Sequence, residues 1–404
     1  MEQPVIVSAD SHFLDPPHLW RTWLPTKYRD RAPQLVEDDS RGHAWLYAGA
    51  KEPESIGLAG LPGRPASDLR AHGVRYEEIR RGTFDGAARA ADQDQDGVAA
   101  EVIFPTARSL GHFLDDPDRD LVLAGTDAYN RFVIEEFCAG APRRLFAVAQ
   151  LPTTGVEDCV KTLQYAAGRG FVAAVLPCWP TGSDRLTVDS APLFACAQDL
   201  GIPLCLHVRF RSREERLLLR ELQEQNLIDE LDTVRFRPPA ADHAPRPLEY
   251  HHRAPNFGVT LGSAASVFSD LLFSGIFDVY PRLKIGFIET WVGWIPRALE
   301  AVDDIWDRNR YLRRIPLSQP PSHYWHSNMV ASFLNDQTGI HSRHTIGVEN
   351  MMWSSDYPHF GTFWPNSGKV ARESLNGVPA AECALILSGN CIRFYGLADR
   401  LGMP

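Results

Sequence analysis

Short apolar runs recur along the chain, most of them followed by a stretch with apolar residues at helical spacing. The strand candidates are Val5–Ser8, Ala100–Phe104, Leu145–Gln150, Ala173–Leu176, Pro203–His207, Lys284–Ile288, Asn328–Ser332 and Asn350–Ser354. Short continuous runs of this kind suit strands covered on both faces, as in a parallel sheet. Helical periodicity fills Leu121–Cys138, Val156–Ala167, Pro192–Leu200, Ala264–Ile276 and Trp294–Trp306. Eight strands alternating with helices predict an α/β chain closed into a (β/α)8 barrel rather than an open sheet. The whole of 1–404 reads as one barrel domain. Two segments break the rhythm, about 33–97 after strand one and about 208–255 after strand five. Both follow carboxyl ends of strands, the catalytic face of a barrel, so they read as lids or substrate walls; peripheral decoration is the alternative.

That face is where chemistry belongs, and three polar positions fall on it. Asp10 and His12, just past strand one, are two residues apart and share a side in extended backbone. His207 ends strand five, and Asp356 closes strand eight, which neighbours strand one in a barrel. Each has a bland reading: a turn cap, a core histidine, a buried ion pair. Together they place two carboxylates and two imidazoles at one mouth, a ligand set for Zn²⁺, Mn²⁺ or Fe²⁺. A buried carboxylate without a counter-charge is costly, and a cation removes that cost.

Composition narrows the partners. The chain has 41 basic and 51 acidic residues, net charge -10, which disfavours a nucleic-acid surface and gives no drive toward anionic lipid. No run approaches the ~18 apolar residues of a membrane span, and MEQPVIVSAD lacks the form of a signal peptide. The seven cysteines form no C-x-x-C pair, so a disulfide framework is not expected and a cytoplasmic location is. The partner expected is a small-molecule or peptide-like substrate.

In order, the motifs Ser8-Ala9-Asp10-Ser11-His12, Asp96-Gly97-Val98, Tyr129-Asn130, His207, Leu272–Asp278, Pro281–Lys284, Gly293–Pro296, Trp353–His359, Trp364–Ser367 and Gly389-Asn390 span most of the chain. With these residues it resembles the amidohydrolase superfamily, in the amidohydrolase-related branch that includes aminocarboxymuconate-semialdehyde decarboxylase-like proteins. The resemblance implies a barrel, a divalent metal on Asp10, His12, His207 and Asp356, and a metal-activated water or substrate. No lysine stands at an obvious strand-four end, so one ion, zinc before manganese, is expected rather than a bridged pair. Where many relatives carry a histidine after strand six this chain has Glu289, an outer ligand, general base or ion-pair partner. His359 borders the site on the family pattern. Trp291, Phe360 and Trp364 read as an apolar wall for an aromatic or peptide-like substrate, or as packing. Arg209 and Arg211 read as a carboxylate grip or as solvated lid charges, and His251 and His252 as rim or surface.

Hydrolysis of a C–N bond (amide, amidine or cyclic amide) ranks first, with Asp356, Glu289 and His207 as the catalytic groups. Nonoxidative decarboxylation of an aromatic or unsaturated acid ranks second, because it needs a proton delivered to carbon and the usual strand-six histidine is missing. A non-catalytic binding barrel is third. The C-terminal stretch Ala380–Leu397 reads as two helices about Gly389-Asn390, which in similar proteins often meet a second subunit; a homodimer is expected.

Overall fold

The computed structural model describes residues 4–48, 50, 53–182, 185–208, 210–211, 214, 216–217, 257–313, 315 and 317–402. Eight strands form one parallel sheet: β1 (Val7–Ser11), β5 (Ala100–Ile103), β6 (Leu145–Gln150), β7 (Ala173–Leu176), β8 (Leu204–His207), β9 (Ile285–Ile288), β10 (Met329–Phe333) and β11 (Met351–Trp353), in that spatial order. Numbers β2 to β4 belong to a separate antiparallel sheet of Gln34–Glu37, His43–Leu46 and Glu54–Ser55. The eight-stranded sheet wraps almost fully round, so the fold is the (β/α)8 barrel that the alternation of elements implies.

The last and first strands meet at a seam carried by individual hydrogen bonds. Asp356 N–H donates to the Asp10 carbonyl (3.1 Å) and His12 N–H to that of Tyr357 (2.7 Å). Below them the hydroxyls of Ser8, Ser11 and Ser355 lie 3.0–3.1 Å apart, all buried. The first strand therefore runs on through polar residues, Val7–Ser11, and not over Val5–Ser8 as its apolar run suggests. A register shift between Ser8 and Ser11 against β5 marks a bulge, a device that re-aims side chains at barrel rims.

Alternate strand residues fill the barrel: Val7, Ala9, Val102, Phe104, Phe146, Val148, Cys205, Ile288, Val330 and Met352. The C-terminal segment packs on this interior through Cys391, Tyr395 and Leu397, which are buried within the chain itself. Outside, the helices follow their apolar periodicity, with shifted ends: Arg119–Phe132, Val156–Arg169, Ala191–Leu200, Phe257–Phe273 and Ile295–Arg313. Among the described residues no helix is long and apolar enough to cross a membrane.

The excursion after β1 is more ordered than its Gly/Pro-rich sequence suggests. It holds the β2–β4 sheet and ends in helix Gly86–Asp96, whose N-cap Asp85 accepts from the amides of Ala87 and Ala88. It is tied back just behind His12: Leu14 N–H donates to Thr83 O (2.7 Å), and the Tyr76 hydroxyl donates to Asp15 O. Of the second excursion, residues 218–256 lie outside the described residues.

Candidate metal centre

The bulge in β1 sends Asp10 and His12, both fully buried, to the carboxyl end of the barrel. His12 Nδ1 lies 3.3 Å from the Phe104 carbonyl. A carbonyl only accepts, so Nδ1 carries the hydrogen and Nε2 presents its lone pair, the tautomer a metal ligand requires. His207, at the end of β8, lies edge-on to the His12 ring at 5.2 Å.

The spacings around these residues form a chain of near-equal steps. Asp10 Oδ1 is 3.4 Å and Asp356 Oδ1 3.3 Å from His12 Nε2, while Asp10 Oδ2 and Glu289 Oε2 are each 3.5 Å from His207 Nε2. Four of the residues, Asp10, His12, His207 and Glu289, offer ligand atoms that all fall within 4.8 Å of one another; Asp356 forms a second such group with His12 and His359. These steps are too long for good hydrogen bonds, and both Asp10 oxygens, His12 Nε2 and His207 Nε2 are buried with no hydrogen-bond partner among the described residues. Donors held at ~2.0–2.2 Å from a tetrahedral ion stand about 3.3–3.6 Å apart. Orphaned buried atoms at that spacing fit a divalent cation, and the mixed N/O donor set suits zinc or manganese.

Backbone strain converges on the same place. Among the described residues, four other than glycine have left-handed φ: Arg41, Glu289 (59°), Trp291 (55°) and Asp356 (52°); three belong to the mouth. Each costs about 1–3 kcal/mol and persists only where its surroundings hold it. The holding groups are visible. Glu289 N–H donates to Ser332 Oγ (2.9 Å), and Asp336 Oδ2 accepts from Val292 and Gly293 N–H (2.8 and 2.7 Å).

Charge couples the groups. Burial pushes the Asp356 carboxyl up, but His359 and His12 beside it outweigh that and hold it well below the usual carboxylate range. Burial lowers His12, yet Asp10 and Asp356 raise it above an ordinary histidine overall. His359 goes the other way, because burial outweighs the pull of Asp356 and favours the neutral ring.

The family model described as Amidohydrolase matches residues 38–397. The chain belongs to the amidohydrolase family. No curated protein matches it. Solved structures do, at full length and low identity. They include an amidohydrolase from Mycobacterium avium subsp. paratuberculosis K-10, at 15% identity and TM-score 0.70, with 98% of this chain and 100% of that one covered. The 5-carboxyvanillate decarboxylase of Sphingomonas paucimobilis matches at 18% and 0.62, covering 98% and 99%. The dihydroxybenzoic acid decarboxylase of Polaromonas sp. JS666, solved with manganese and the inhibitor 2-nitroresorcinol, matches at 18% and 0.63, covering 99% of each chain. At such identities the likeness establishes the fold.

Within this amidohydrolase the residues singled out from sequence divide. His359 joins the mouth: its ring stacks on His12 at 4.1 Å, and its Nδ1 is 2.8 Å from Asp356 Oδ1. Trp291 lies at the rim, 36% exposed, as does Phe360 at 56%. Trp364 is only 7% exposed; its indole N–H donates to the Asp92 carbonyl and its ring packs under the Arg80 guanidinium, so it buttresses the strand-eight loop. Arg211 is buried, and its backbone N–H donates to Pro177 O. Arg209, His251 and His252 lie outside the described residues.

Sequence reasoning missed the support beneath the candidate ligands. Arg89 is fully buried, donates to the carbonyls of His12 and Gly82 (2.5 Å each) and pairs with Glu101 at 2.9 Å. Its guanidinium also covers the Tyr357 ring at 4.4 Å. Glu101 in turn accepts from Ser11 Oγ and Gln93. One arginine thus ties the strand-one ligand loop to the strand-eight loop.

Proposed function

We propose that this amidohydrolase is a metal-dependent, nonoxidative decarboxylase of an aromatic acid carrying a ring hydroxyl. The reading is carried by one observation: whole-length likeness to barrels that are decarboxylases of hydroxylated benzoic acids, one of them with manganese. The geometry supports it by removing the objection raised from sequence. Decarboxylation breaks the C–C bond to the carboxylate, leaves the electron pair on the ring carbon, and requires a proton there. No histidine follows strand six, but His359 reaches the mouth from the strand-eight loop.

Asp10, His12 and His207 would hold the cation, with Asp356 completing the side next to His12. When bound, the ion would supply a fixed positive charge for the substrate's anionic oxygens and for charge developing on the ring. His359, neutral at rest and anchored through Nδ1 on Asp356, keeps its other ring nitrogen for the substrate. It would accept the proton of the ring hydroxyl and return it to the carbon that loses CO2, Asp356 stabilising the imidazolium between the two transfers. Trp291 at the rim is an apolar surface for an aromatic ring. The excursion after β1, tied down behind His12, would wall one side of the site within a single barrel domain.

Hydrolysis of a C–N bond draws on the same His359–Asp356 pair, which would then take a proton from water. The products separate the readings. Protein loaded with Mn²⁺ or Zn²⁺ is incubated with dihydroxybenzoates, 5-carboxyvanillate and a panel of amides. Release of CO2 matched by the decarboxylated arene is expected; amine release without CO2 would overturn the proposal. His359→Gln should lower kcat by about 10²–10⁴ while bound metal is retained.

A further inference from the structure

We infer that Glu289 is an inner ligand of the cation and that its carboxylate makes the site accept manganese as well as zinc. This rests on the metal-enzyme reading above.

The argument begins with spacing. An ordinary buried histidine–carboxylate hydrogen bond in this same mouth, His359 to Asp356, closes to 2.8 Å. Glu289 Oε2 stands 3.5 Å from His207 Nε2, the same step by which Asp10 Oδ2 stands from that nitrogen. Glu289 therefore sits as a fellow ligand would, and it shares one four-membered group with Asp10, His12 and His207. The orphaned atoms point to the same centre: Asp10 Oδ1 and Oδ2, His12 Nε2 and His207 Nε2 are buried, and no hydrogen bond satisfies them among the described residues. The backbone is committed to this aim. Glu289 and Trp291 both hold left-handed φ, which Ser332 fixes from one side and the Asp336 carboxylate from the other.

The consequence follows from donor count. Asp10, His12, His207 and Asp356 are four donors, the number zinc takes in a tetrahedral site. Adding Glu289 gives two nitrogens and three carboxylates, an oxygen-rich and higher-coordinate set that suits manganese. Glu289 would thus matter greatly to Mn²⁺ and little to Zn²⁺, which keeps a complete set without it. Asp336 touches neither ion nor ligand atom and acts as a positioning residue through the loop.

The test measures binding without substrate. Metal-free protein, prepared by chelation, is titrated with Mn²⁺ and separately with Zn²⁺ against a chromophoric chelator, for wild type, Glu289→Ala and Asp336→Asn. The visible spectrum of the Co²⁺-loaded forms reports coordination number. Glu289→Ala should weaken Mn²⁺ by about a hundredfold or more, Zn²⁺ by far less, and intensify the Co²⁺ bands as the ion drops toward four-coordination. Asp336→Asn should weaken Mn²⁺ by about tenfold, with the Co²⁺ spectrum shifting in the same sense. Should Glu289→Ala fail to fold, the Asp336→Asn result decides alone. Unchanged Mn²⁺ affinity with an unchanged Co²⁺ spectrum overturns the inference and leaves the decarboxylase reading standing. A wild-type protein that binds no divalent ion sinks both.

Discussion

Arg89→Met tests whether the ligands depend on the buried arginine beneath them. The substitution keeps much of the side-chain volume and removes every donor. Glu101, almost fully buried, then loses its counter-charge, although Ser11 Oγ (3.2 Å) and Gln93 (3.0 Å) still donate to it. The carbonyls of His12 and Gly82 lose their side-chain donor as well. Breaking a buried ion pair by deleting one partner costs about 3–5 kcal/mol; the donors left on Glu101 soften this, and the two carbonyls add to it, so about 4 kcal/mol is expected. An unfolding entropy of ~2.1 cal/mol/K per residue, scaled to 404 residues, gives about 0.85 kcal/mol/K. The predicted fall in Tm is therefore about 5 °C in calorimetry of the metal-free protein. The cost lies mainly in the stranded charge, so Arg89→Met/Glu101→Gln should recover at least about half of it, a coupling a double-mutant cycle reads directly. Arg89→Met should also weaken Mn²⁺ binding, because it frees the backbone that carries His12. A single variant within about 1 kcal/mol of wild type, or a double variant as unstable as simple additivity predicts, would show that Arg89 does not hold the mouth through Glu101.

Three further outcomes are expected. In the metal-free protein the raised His12 pKa contributes stability that is fully present below the ordinary histidine value and lost as pH rises through the folded one. Metal needs the neutral ring, so the Mn²⁺-induced rise in Tm should be larger at pH 8 than at pH 6, and a pH-independent rise would contradict the assignment of His12. Asp38 is buried, which pushes its pKa up, but the amides of Gly73, Gly42 and Ser40 and the Ser55 hydroxyl outweigh this and lower it overall; its contribution is present above the unfolded carboxylate pKa and fades as pH falls through the folded value. Asp38→Asn should therefore cost about 1–3 kcal/mol at neutral pH and speed proteolytic nicking between residues 34 and 75, with equal nicking rates counting against it. In Gly86→Ala the added methyl carbon would sit 1.7 Å from the Phe137 carbonyl oxygen, a backbone atom that cannot swing away; a loss of about 3 kcal/mol or more in chemical denaturation is expected, and a near-neutral result would mean that helix Gly86–Asp96 docks differently.

Most barrel strands were legible because their runs are apolar on both faces. β1 was not, because from Ser8 to Ser11 its polar side chains are a hydroxyl seam and a proposed metal ligand, and apolarity stops where the candidate site begins. Helix Gly86–Asp96 shows the opposite failure. Its sequence, GAARAADQDQD, looks like a solvated face, yet Arg89, Asp92, Gln93 and Asp96 fall at helical spacing and all are buried. A polar stripe facing inward has the periodicity of an amphipathic helix with the sign reversed, and a reading that weighs apolar residues alone passes over it. Asp10, His12, His207 and Asp356 could be picked out because each closes or follows a strand at one end of the barrel. That Glu289 shares the inner group with three of them, while Asp356 also leans on His359, depends on left-handed turns that spacing along the chain does not encode.

Closure of the barrel and construction of the site are one arrangement here. The amide of Asp356 bonds the carbonyl of Asp10, and the amide of His12 bonds the carbonyl of Tyr357, so each ligand loop supplies the backbone partner that fixes the other. The serine hydroxyls beneath close the same seam where strand pairing stops. Without an ion, three carboxylates face two imidazoles with buried oxygens and nitrogens unsatisfied, and two of those carboxylates sit on strained backbone. Such a mouth is stable only if the surrounding network over-determines it, and that is the role of Arg89, Ser332 and Asp336, none of which is among the proposed ligands. A divalent cation would relieve the repulsion at the point where the sheet joins itself. Stability and metal occupancy should therefore rise and fall together in this protein, more steeply than in a barrel whose ligands lie away from its seam.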